Sequence, residues 1–351
     1  MRPVTDPAGR PGLAPVRGTA AQVLELLREW DAADHADPLL VETSGSTGDP
    51  KRVVLSRDAM RASADATHER LGGPGQWVLA LPPTYVAGLQ VLFRSVRAGS
   101  EPVVADCALG EAAAALTGER RYVSLVPTQL HRAVTDEPGS LARFDALLLG
   151  GAALDPRLRA DAETAGGRVV TTYGMSETCG GCVYDGSPLD RVEVATTPDG
   201  RLRIRGPVLF EGYDARPDLT AEVLRDGWFE TQDLGRVEDG RVEVLGRVDD
   251  VVVSGGVNVP TTAVARTVRA HPDVEAAEVV GVPDDHWGTA VVAVVVGAVG
   301  RDGLRDWVSR EHPRAWAPQR VVHVEGLPLL PHGKVDRLAV QELARRGDER
   351  G

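Results

Sequence analysis

Short apolar runs separated by turns recur over the first half of the chain and predict the strands of a buried sheet. Each run is rich in Val, Leu or aromatic residues and is bounded by polar or Gly/Pro residues, as expected for strands covered on both faces. The runs are Leu39–Thr43, Gln76–Leu81, Pro102–Ala105, Tyr122–Val126, Phe144–Leu149 and Val169–Thr172.

Helical spacing of apolar residues appears between these runs. Thr19 to Trp30 has the period of an amphipathic helix, and Ser56 is placed to cap a helix over Arg57–Arg70. The segment Tyr85–Val96 predicts an apolar helix with one charge, Arg94. That arginine either extends to solvent or is held for an anion. Strands that alternate with helices predict an α/β fold, which begins as strand, loop and helix around residues 39–70.

The pattern changes twice in the second half. From Val192 to about Asp250 short β segments follow one another between turns, which predicts a β-rich subdomain. After Asp249 a compact α+β pattern begins with a strand and glycine turn over Val251–Val259. We therefore predict an N-terminal domain over 1–248 and a smaller C-terminal domain over 249–351. The apolar run Ala290–Val299 is too short to span a bilayer and reads as a buried strand.

Composition excludes several classes of protein. The chain has 351 residues, 42% of them hydrophobic, and a net charge of −12, which is enough for a sizeable core and argues against a nucleic-acid-binding surface. We expect no membrane association, because neither a signal peptide nor a membrane span is evident. Three cysteines, Cys107, Cys179 and Cys182, suit a reducing cytoplasm. Cys179 and Cys182 form a CxxC without the further ligands of a zinc site, so packing is the better explanation.

The stretch TSGSTGDPK, Thr43 to Lys51, predicts a phosphate-binding loop. After Thr43 it combines three hydroxyl side chains, two glycines and a lysine, so backbone N–H groups and hydroxyls can face a polyanion. The common nucleoside-triphosphatase loop does not fit, because Asp49 and Pro50 separate Gly48 from Lys51. Alone, the stretch could equally be a polar surface turn.

Two further segments follow predicted strands and could contact a nucleotide. Gly150 to Ala153 supplies small residues at a strand end, where a flat ligand can lie against the backbone. YGMSET, Tyr173 to Thr178, adds an aromatic ring and a carboxylate that could hold a cation. Each is weak by itself.

Taken in order, five motifs resemble those of the adenylate-forming superfamily, which includes acyl-CoA synthetases, luciferases and peptide-synthetase adenylation domains. They are TSGSTGDPK, YGMSET, TQDLG, GRVDDVVVSGG and PHGKVDR, and they span nearly the whole chain. The resemblance implies the fold of that superfamily, in which a small, mobile C-terminal domain follows a large N-terminal one. The segment before the phosphate loop is shorter than is usual, which suggests a compact form of the actinobacterial type.

The resemblance also implies a role for each matching residue. The phosphate loop would bind ATP through Thr43, Ser44, Gly45, Ser46, Thr47, Gly48 and Lys51. The adenine site would comprise Gly150, Gly151, Ala152, Thr172, Tyr173, Gly174, Met175 and Ser176. Asp233 and Arg247 would hold the ribose, and Glu177 would ligate Mg²⁺.

The catalytic residues implied by the resemblance are Lys334, Glu177 and Thr47. Lys334 would bridge the substrate carboxylate and the α-phosphate, where two anions must be brought together. Asp249 matches the hinge position, and the loop Gly255–Gly256 would face coenzyme A in the second step.

Four segments are most similar to the acyl-CoA synthetases of menaquinone biosynthesis: LPPTYVAGLQVLFRSVRAG, SLVPTQLHR, LLLGGAALDP and YGMSETCGGCVYDG. The resemblance implies ligation of an aromatic diacid, 2-succinylbenzoate, to coenzyme A through an acyl-adenylate, with release of AMP and pyrophosphate. Arg94 is the candidate for the second carboxylate of this acid. The acid-binding residues would be Tyr85, Gly88, Arg94, Thr128, Gln129 and Gly151.

Other interpretations stay open at this point. A CoA ligase for another aryl or aliphatic acid differs from this prediction by only a few pocket side chains. An amino-acid adenylation domain would need an acidic residue for the substrate ammonium, and LPPTYVAGLQ contains none. A phosphoryl-transfer enzyme or a non-catalytic nucleotide-binding module fits the motifs less well. Gln232 and Tyr85 depart from the residues usual in the superfamily, Gly and His. A homodimer is possible.

Overall fold

A computed structural model describes residues 14–43, 51–105, 108–328 and 335–347 of the chain. The helices are α1 Ala20–Ala32, α2 Arg57–Leu71, α3 Val86–Ala98, α4 Leu109–Ala115, α5 Pro127–Asp136, α6 Pro138–Leu141, α7 Pro156–Thr164, α8 Pro217–Val223, α9 Thr261–Arg269, α10 Arg301–Val308 and α11 Arg337–Arg346.

Strands occupy both halves of the chain. In the first half they are β1 Leu39–Glu42, β2 Arg52–Leu55, β3 Gln76–Leu79, β4 Val103–Val104, β5 Arg121–Leu125, β6 Ala146–Leu149, β7 Val169–Met175, β8 Gly180–Tyr184 and β9 Ser187–Pro188. The remainder are β10 Glu193–Thr196, β11 Arg201–Arg205, β12 Gly212–Tyr213, β13 Leu224–Arg225, β14 Trp228–Glu238, β15 Arg241–Arg247, β16 Val251–Ser254, β17 Val257–Pro260, β18 Val274–Asp284, β19 Gly288–Gly297 and β20 Arg320–His323.

The chain divides into two compact units. One comprises 1–195, 203–230 and 237–242, and the other comprises 196–202, 231–236 and 243–351. The predicted boundary at Asp249 stays a prediction. Among the described residues, no helix combines the length and hydropathy that crossing a membrane requires.

A seven-stranded sheet forms the centre of the first unit, in the order β4–β3–β5–β6–β7–β8–β9. The strands β4 to β7 pair in parallel, and β8 and β9 continue the sheet antiparallel. After β3 the chain goes first to β4 on one side and then to β5 on the other. This reversal is a topological switch point, where α/β sheets open a crevice beyond the carboxyl ends of their strands.

Both faces of this sheet are buried, which explains why its strands are apolar at successive positions. Val78, Val123 and Leu147 belong to a core that also contains residues of α4 to α7. Their neighbours Trp77 and Tyr122 are fully buried as well, and their rings lie 5.0 Å apart. Side chains alternate between the faces of a strand, so a run without polar interruptions indicates a covered sheet.

The prediction of a strand, loop and helix around the phosphate loop is wrong in one respect. Strand β2 lies between the loop and α2, and pairs antiparallel with β1. Thr43 and Lys51 close the hairpin, because the Thr43 N–H donates to the Lys51 carbonyl over 2.8 Å. Helix α2 does begin as predicted, with the Ser56 hydroxyl accepting from the Ala59 N–H.

The second unit contains a three-stranded sheet in the order β18–β19–β20, and the run Ala290–Val299 supplies its central strand. Val291 and Ala293 belong to a core with α9 and α10, whereas Val292 and Val294 belong to a core with α11. The prediction of a buried strand is confirmed. The glycine turn is also confirmed: Gly255 and Gly256 connect β16 and β17 with φ of 55° and 78°, as a two-residue type I′ hairpin requires.

Substitution of Gly88 can test how closely α3 approaches the preceding loop. A Cβ built on Gly88 lies 2.1 Å from the Pro82 carbonyl oxygen, so Gly88→Ala should lower the free energy of unfolding by about 1 to 3 kcal/mol through steric overlap. The measurement is urea unfolding followed by circular dichroism.

Gly139 in α6 is the matched control, because a Cβ built there meets nothing within 4 Å. Gly139→Ala should be neutral or slightly stabilising, since alanine is the better helix former. Equal unfolding midpoints for both variants would contradict the close approach.

Candidate active site

A cavity of about 400 Å³ opens at the carboxyl ends of the central strands of the first unit. Ends of β3, β5, β6 and β7 contribute to it, at the position that the topological switch predicts. Nine predicted site residues line it: Thr43, Tyr85, Gly88, Arg94, Gly150, Gly151, Thr172, Gly174 and Ser176. The structure therefore brings together the predicted adenine segments and the predicted acid-binding helix α3.

Arg94 is a buried cation in the cavity wall. Only 3% of the residue is exposed, so the alternative in which it extends to solvent is wrong. Its Nη2 donates to the Tyr184 hydroxyl over 3.4 Å, and its guanidinium lies 5.2 Å from the Trp77 ring centroid. Its Nε is buried and has no hydrogen-bond partner in the described part of the chain.

No carboxylate among the described residues pairs with Arg94. Burial lowers the pKa of this arginine, and only the nearby Tyr184 opposes the shift. Removing a charge from water without a counter-charge is costly, and removal of one member of a buried pair costs several kcal/mol for this reason. The guanidinium at the cavity wall is therefore a strong candidate for binding an anionic ligand.

His68 is a second buried titratable group on the same side of the sheet. Its ring centroid lies 6.5 Å from that of Trp77, and its Nε2 has no partner among the described residues. Burial lowers the pKa of His68 to about 4, and the charge of Arg94 contributes to this shift. The imidazole is thus neutral at physiological pH, which avoids a second positive charge beside Arg94.

The predicted adenine segments form the opposite wall. Gly150 follows β6, and its N–H donates to the Leu125 carbonyl over 3.2 Å. The Thr172 hydroxyl donates to the Leu149 carbonyl over 3.2 Å, which ties β7 to the end of β6. Ala152, Tyr173 and Met175 lie in the same segments but do not line the cavity. Glycine and small polar residues leave this wall open to a flat ligand.

Glu177 lies beyond β7 in a 3₁₀ turn, Ser176–Thr178, and is 9% exposed. The Tyr213 hydroxyl donates to its Oε1 over 2.7 Å, and burial together with the Glu177 carboxylate raises the pKa of Tyr213. Lys51 Nζ lies 5.3 Å from the centroid of the same tyrosine ring. Lys51 and Glu177 therefore flank one aromatic side chain.

Asp233 and Arg247, the predicted ribose-binding residues, lie together in the second unit. Arg247 Nη1 is 3.6 Å from Asp233 Oδ1, and its Nη2 is 3.6 Å from Asp249 Oδ2. The Thr231 hydroxyl accepts from the Asp233 N–H over 3.0 Å and fixes the backbone at this point. Asp249 thus contacts one of the residues predicted to bind the nucleotide.

Thr128 and Gln129 do not line the cavity. The Gln129 side chain accepts from the Val126 N–H over 3.0 Å and donates to the Ala80 carbonyl over 2.7 Å. It therefore joins the start of α5 to the end of β3. Their predicted contact with the acid is not supported by this geometry.

Several predicted residues lie outside the described part of the chain. They are Ser44, Gly45, Ser46, Thr47, Gly48 and Lys334. The described residues contain no cluster of three or more His, Cys, Asp or Glu side chains arranged for a metal ion. Cys179 and Cys182 are both buried, in agreement with a packing role, and burial raises the pKa of the Cys182 thiol to about 12.

Sequence reasoning missed Gln90, Ser124 and Tyr184 in the cavity wall. Gln90 could have been found, because it precedes Arg94 by one helical turn. A second overlooked signal is lysine usage: of 39 basic residues only Lys51 and Lys334 are lysines, and both fall in predicted site motifs.

Comparison with known families matches two parts of the chain. The AMP-binding enzyme family matches residues 31–214, and the AMP-binding enzyme C-terminal domain matches residues 264–334.

Individual relatives cover nearly the whole chain. A probable 2-succinylbenzoate–CoA ligase of Mycobacterium tuberculosis is 43% identical, over 97% of this chain and 93% of the relative. The 2-succinylbenzoate–CoA ligase of Escherichia coli is 33% identical, over 87% of this chain and 68% of the relative. Among solved structures, o-succinylbenzoate CoA synthetase (MenE) from Bacillus subtilis with the acyl-adenylate intermediate OSB-AMP has a TM-score of 0.71 at 27% identity, over 86% of this chain and 68% of that one.

The neutral state of His68 predicts a pH dependence of stability. The folded-state pKa of about 4 lies below the ordinary value of 6.5, so between these values the unfolded chain binds a proton that the folded protein does not. Stability should fall as the pH drops from 6.5 to 4 and be fully present above 6.5, with a contribution of up to about 3 kcal/mol. The measurement is the urea midpoint as a function of pH.

His68→Gln should flatten this slope, because the replacement does not titrate. His35 is exposed and provides the control: His35→Gln should leave the slope as in the wild type. An unchanged slope in His68→Gln would show that other groups cause the pH dependence.

Proposed function

The chain belongs to the AMP-binding enzyme family, and from that premise we propose that it ligates 2-succinylbenzoate to coenzyme A through an acyl-adenylate. It is an AMP-forming acid–thiol ligase of the adenylate-forming fold, and the relatives described above act on this diacid. The structural observation that carries the choice of acid is Arg94, a buried cation in the wall of the cavity that no carboxylate of the described residues neutralises.

The reaction has to activate a carboxylate, which is a poor electrophile because its charge is delocalised. In the first step a carboxylate oxygen attacks the α-phosphorus of ATP, and the bond from that phosphorus to pyrophosphate breaks. In the second step the thiol sulfur of coenzyme A attacks the acyl carbon, and the bond to the adenylate oxygen breaks with release of AMP. The first step joins two anions, so fixed cations and oriented donors lower its barrier.

The succinyl carboxylate is the one that we propose is activated, while the ring carboxylate remains ionised. Arg94 would pair with the ring carboxylate, because a guanidinium can give a carboxylate two parallel hydrogen bonds. The cavity supports this arrangement by its size and by its few polar groups, since ligand pockets of a few hundred Å³ are mostly apolar with a small number of orienting side chains. Tyr85, Gly88 and Gly151 would contact the rest of the acid.

We propose the nucleotide roles on the resemblance and on the contacts described above. The phosphate loop between Thr43 and Lys51 would bind the β- and γ-phosphates, and the strand ends around Gly150 and Thr172 would bind adenine. Asp233 and Arg247 would hold the ribose hydroxyls; Nη1 of Arg247 lies 3.6 Å from Oδ1 of Asp233.

Magnesium fits the carboxylate of Glu177. Tyr213 occupies Oε1, and no described residue donates to Oε2, so one oxygen is available to a hard cation whose other ligands would be phosphates and water. The ion would neutralise phosphate charge when bound.

Further parts of the proposal concern organisation. The C-terminal domain, 249–351, would turn about Asp249 between the two steps and bring Gly255 and Gly256 to the pantetheine of coenzyme A. A cytoplasmic location is proposed on the small, odd number of cysteines, and a homodimer is proposed on the resemblance. The direct test is incubation with magnesium, ATP, coenzyme A and a panel of aryl acids. Formation of AMP, pyrophosphate and a thioester from 2-succinylbenzoate is expected, and orthophosphate or ADP as product would contradict it.

Replacing Arg94 should separate binding of the diacid from the rest of the reaction. Arg94→Met, like Arg94→Ala, should raise the KM for the diacid about 10- to 100-fold, because charge-assisted hydrogen bonds to the ring carboxylate are lost. The KM for ATP should change by less than about twofold, as expected for a residue that does not contact the nucleotide. Steady-state kinetics with the diacid and with the same acid lacking its ring carboxylate measure both effects.

The free protein provides a control for Arg94→Met. Replacing an unpaired buried charge by an apolar side chain of similar length should leave the unfolding midpoint unchanged or raise it. An unchanged KM for the diacid would remove Arg94 from the acid site.

Lys334 should be required for the first step only. Lys334→Ala should abolish ATP–pyrophosphate exchange and spare thioester formation from supplied acyl-adenylate, because the ammonium acts where carboxylate and phosphate meet. Lys334→Arg retains the charge but has a bulkier, planar head group, and should also be impaired. Survival of the exchange reaction in the alanine variant would rule out this role.

A further inference from the structure

A chain of buried hydrogen bonds reaches Arg94 from outside the cavity. Thr67 Oγ1 in α2 is 2.8 Å from the Ser63 carbonyl oxygen and 2.9 Å from the Tyr184 hydroxyl in β8. The Tyr184 hydroxyl is 3.4 Å from Nη2 of Arg94 in α3. None of the four residues is more than 3% exposed. Three separate elements of one unit are therefore joined by polar groups that lead to one guanidinium.

The donor in each of these bonds can be assigned from chemistry. The Ser63 carbonyl can only accept, so the single proton of the Thr67 hydroxyl is directed toward it. The oxygen of Thr67 must then accept from Tyr184. The guanidinium can only donate, so the oxygen of Tyr184 accepts from Arg94. In each of these hydrogen bonds the hydrogen therefore points away from Arg94, so all three bonds run in the same direction.

The orientation of the Arg94 guanidinium is restricted by Tyr184 and by Trp77. Tyr184 presents its oxygen lone pairs to the cation and occupies one N–H of Nη2. The Trp77 ring lies 5.2 Å from the guanidinium carbon, and contact with an aromatic face restricts rotation of the guanidinium plane. Nε has no hydrogen-bond partner among the residues that the structure describes. The remaining N–H groups of the guanidinium can donate to a carboxylate, and the protein fixes their orientation before the ligand binds.

We propose that Tyr184, with its hydroxyl held by Thr67, is a positioning residue that orients the Arg94 guanidinium and thereby sets the preference for an aromatic acid with a second carboxylate. The inference rests on the proposed function, because it assigns a structural origin to selectivity for the diacid. Thr67 does not line the cavity, so it acts only through Tyr184.

Substitutions that keep shape can separate this role from packing. Tyr184→Phe removes one hydroxyl and keeps the buried ring. Thr67→Val removes the acceptor of the Tyr184 hydroxyl and keeps the branched side chain, whereas Thr67→Ser retains the hydroxyl. The Ser63 carbonyl is not orphaned by Thr67→Val, because it lies within α2 and also accepts a helical hydrogen bond.

Tyr122→Phe is a matched control for the loss of a buried tyrosine hydroxyl. The Tyr122 hydroxyl contacts the Leu71 and Gly73 carbonyls at 3.2 Å and 3.1 Å, and Tyr122 is fully buried but does not line the cavity.

The experiment compares kcat and KM for 2-succinylbenzoate and for the same acid without its ring carboxylate. We expect the preference for the diacid, as the ratio of kcat/KM values, to fall about five- to tenfold in Tyr184→Phe and Thr67→Val, the size of effect usual for one ordinary hydrogen bond. The fall should come from the KM for the diacid, with kcat changed by less than about twofold. Thr67→Ser and Tyr122→Phe should retain the wild-type ratio.

The outcomes are distinguishable. If the wild type does not turn over the diacid, the proposed function is wrong and this inference falls with it. If the wild type prefers the diacid and both Tyr184→Phe and Thr67→Val keep that preference, the inference alone is overturned. Equal losses for both acids would show that the hydroxyls only support packing, and would also overturn it.

Discussion

The burial of one cation that no carboxylate of the described residues neutralises is the constraint on which the proposed acid site depends. Arg94 has an aromatic ring and a phenolic oxygen beside it but no carboxylate among the described residues. Such a group destabilises the free protein, since burial disfavours its charged form. The Tyr184 oxygen and the Trp77 ring offset only part of this cost, and His68 adds no second charge because its pKa is about 4. In the proposed function the carboxylate of the acid would offset the remainder, so the desolvation cost of Arg94 would favour binding of an anionic ligand over a neutral one.

The parts of the fold that sequence predicts well are those in which burial alone determines the pattern. The runs around Val78, Val123 and Leu147 predicted strands because both faces of the sheet are covered. The run Ala290–Val299 became β19 for the same reason. Strand β2 was missed because its four residues, Arg52–Leu55, sit between a polar loop and a helix cap and show no extended period. Long-range pairing with β1, which no local pattern encodes, decides its structure.

The same distinction, between local sequence pattern and long-range contact, applies to the residues of the candidate site. Arg94 could be singled out because a charge in an apolar helix needs an explanation, and Gly255–Gly256 because two adjacent positive φ values require glycine. Tyr184 and Thr67 could not, since their contact joins residues 117 positions apart and a tyrosine in a strand has an ordinary packing role. Gln129 was attributed to the acid site from its motif, whereas its amide is bonded to backbone groups of Val126 and Ala80. Motifs identify a site; the use of each side chain depends on contacts between distant segments.

The use of lysine rather than arginine at two positions also bears on the proposed chemistry. Of 39 basic residues only Lys51 and Lys334 are lysines, so the composition otherwise favours arginine strongly. Lysine differs from arginine in being a compact, flexible point charge, whereas arginine binds a carboxylate through a planar fork. In the proposed function, Arg94 would bind a ground-state carboxylate through the parallel N–H groups of its planar guanidinium. Stabilisation of charge that moves between carboxylate, α-phosphorus and leaving group needs a cation that can follow it. Lysine at these two positions is consistent with the proposed division of roles, in which Arg94 would select the acid and the lysines would act on the charges of the reacting groups. If these roles hold, substitutions in α3 and β8 would change the acid preference without altering the adenylation chemistry.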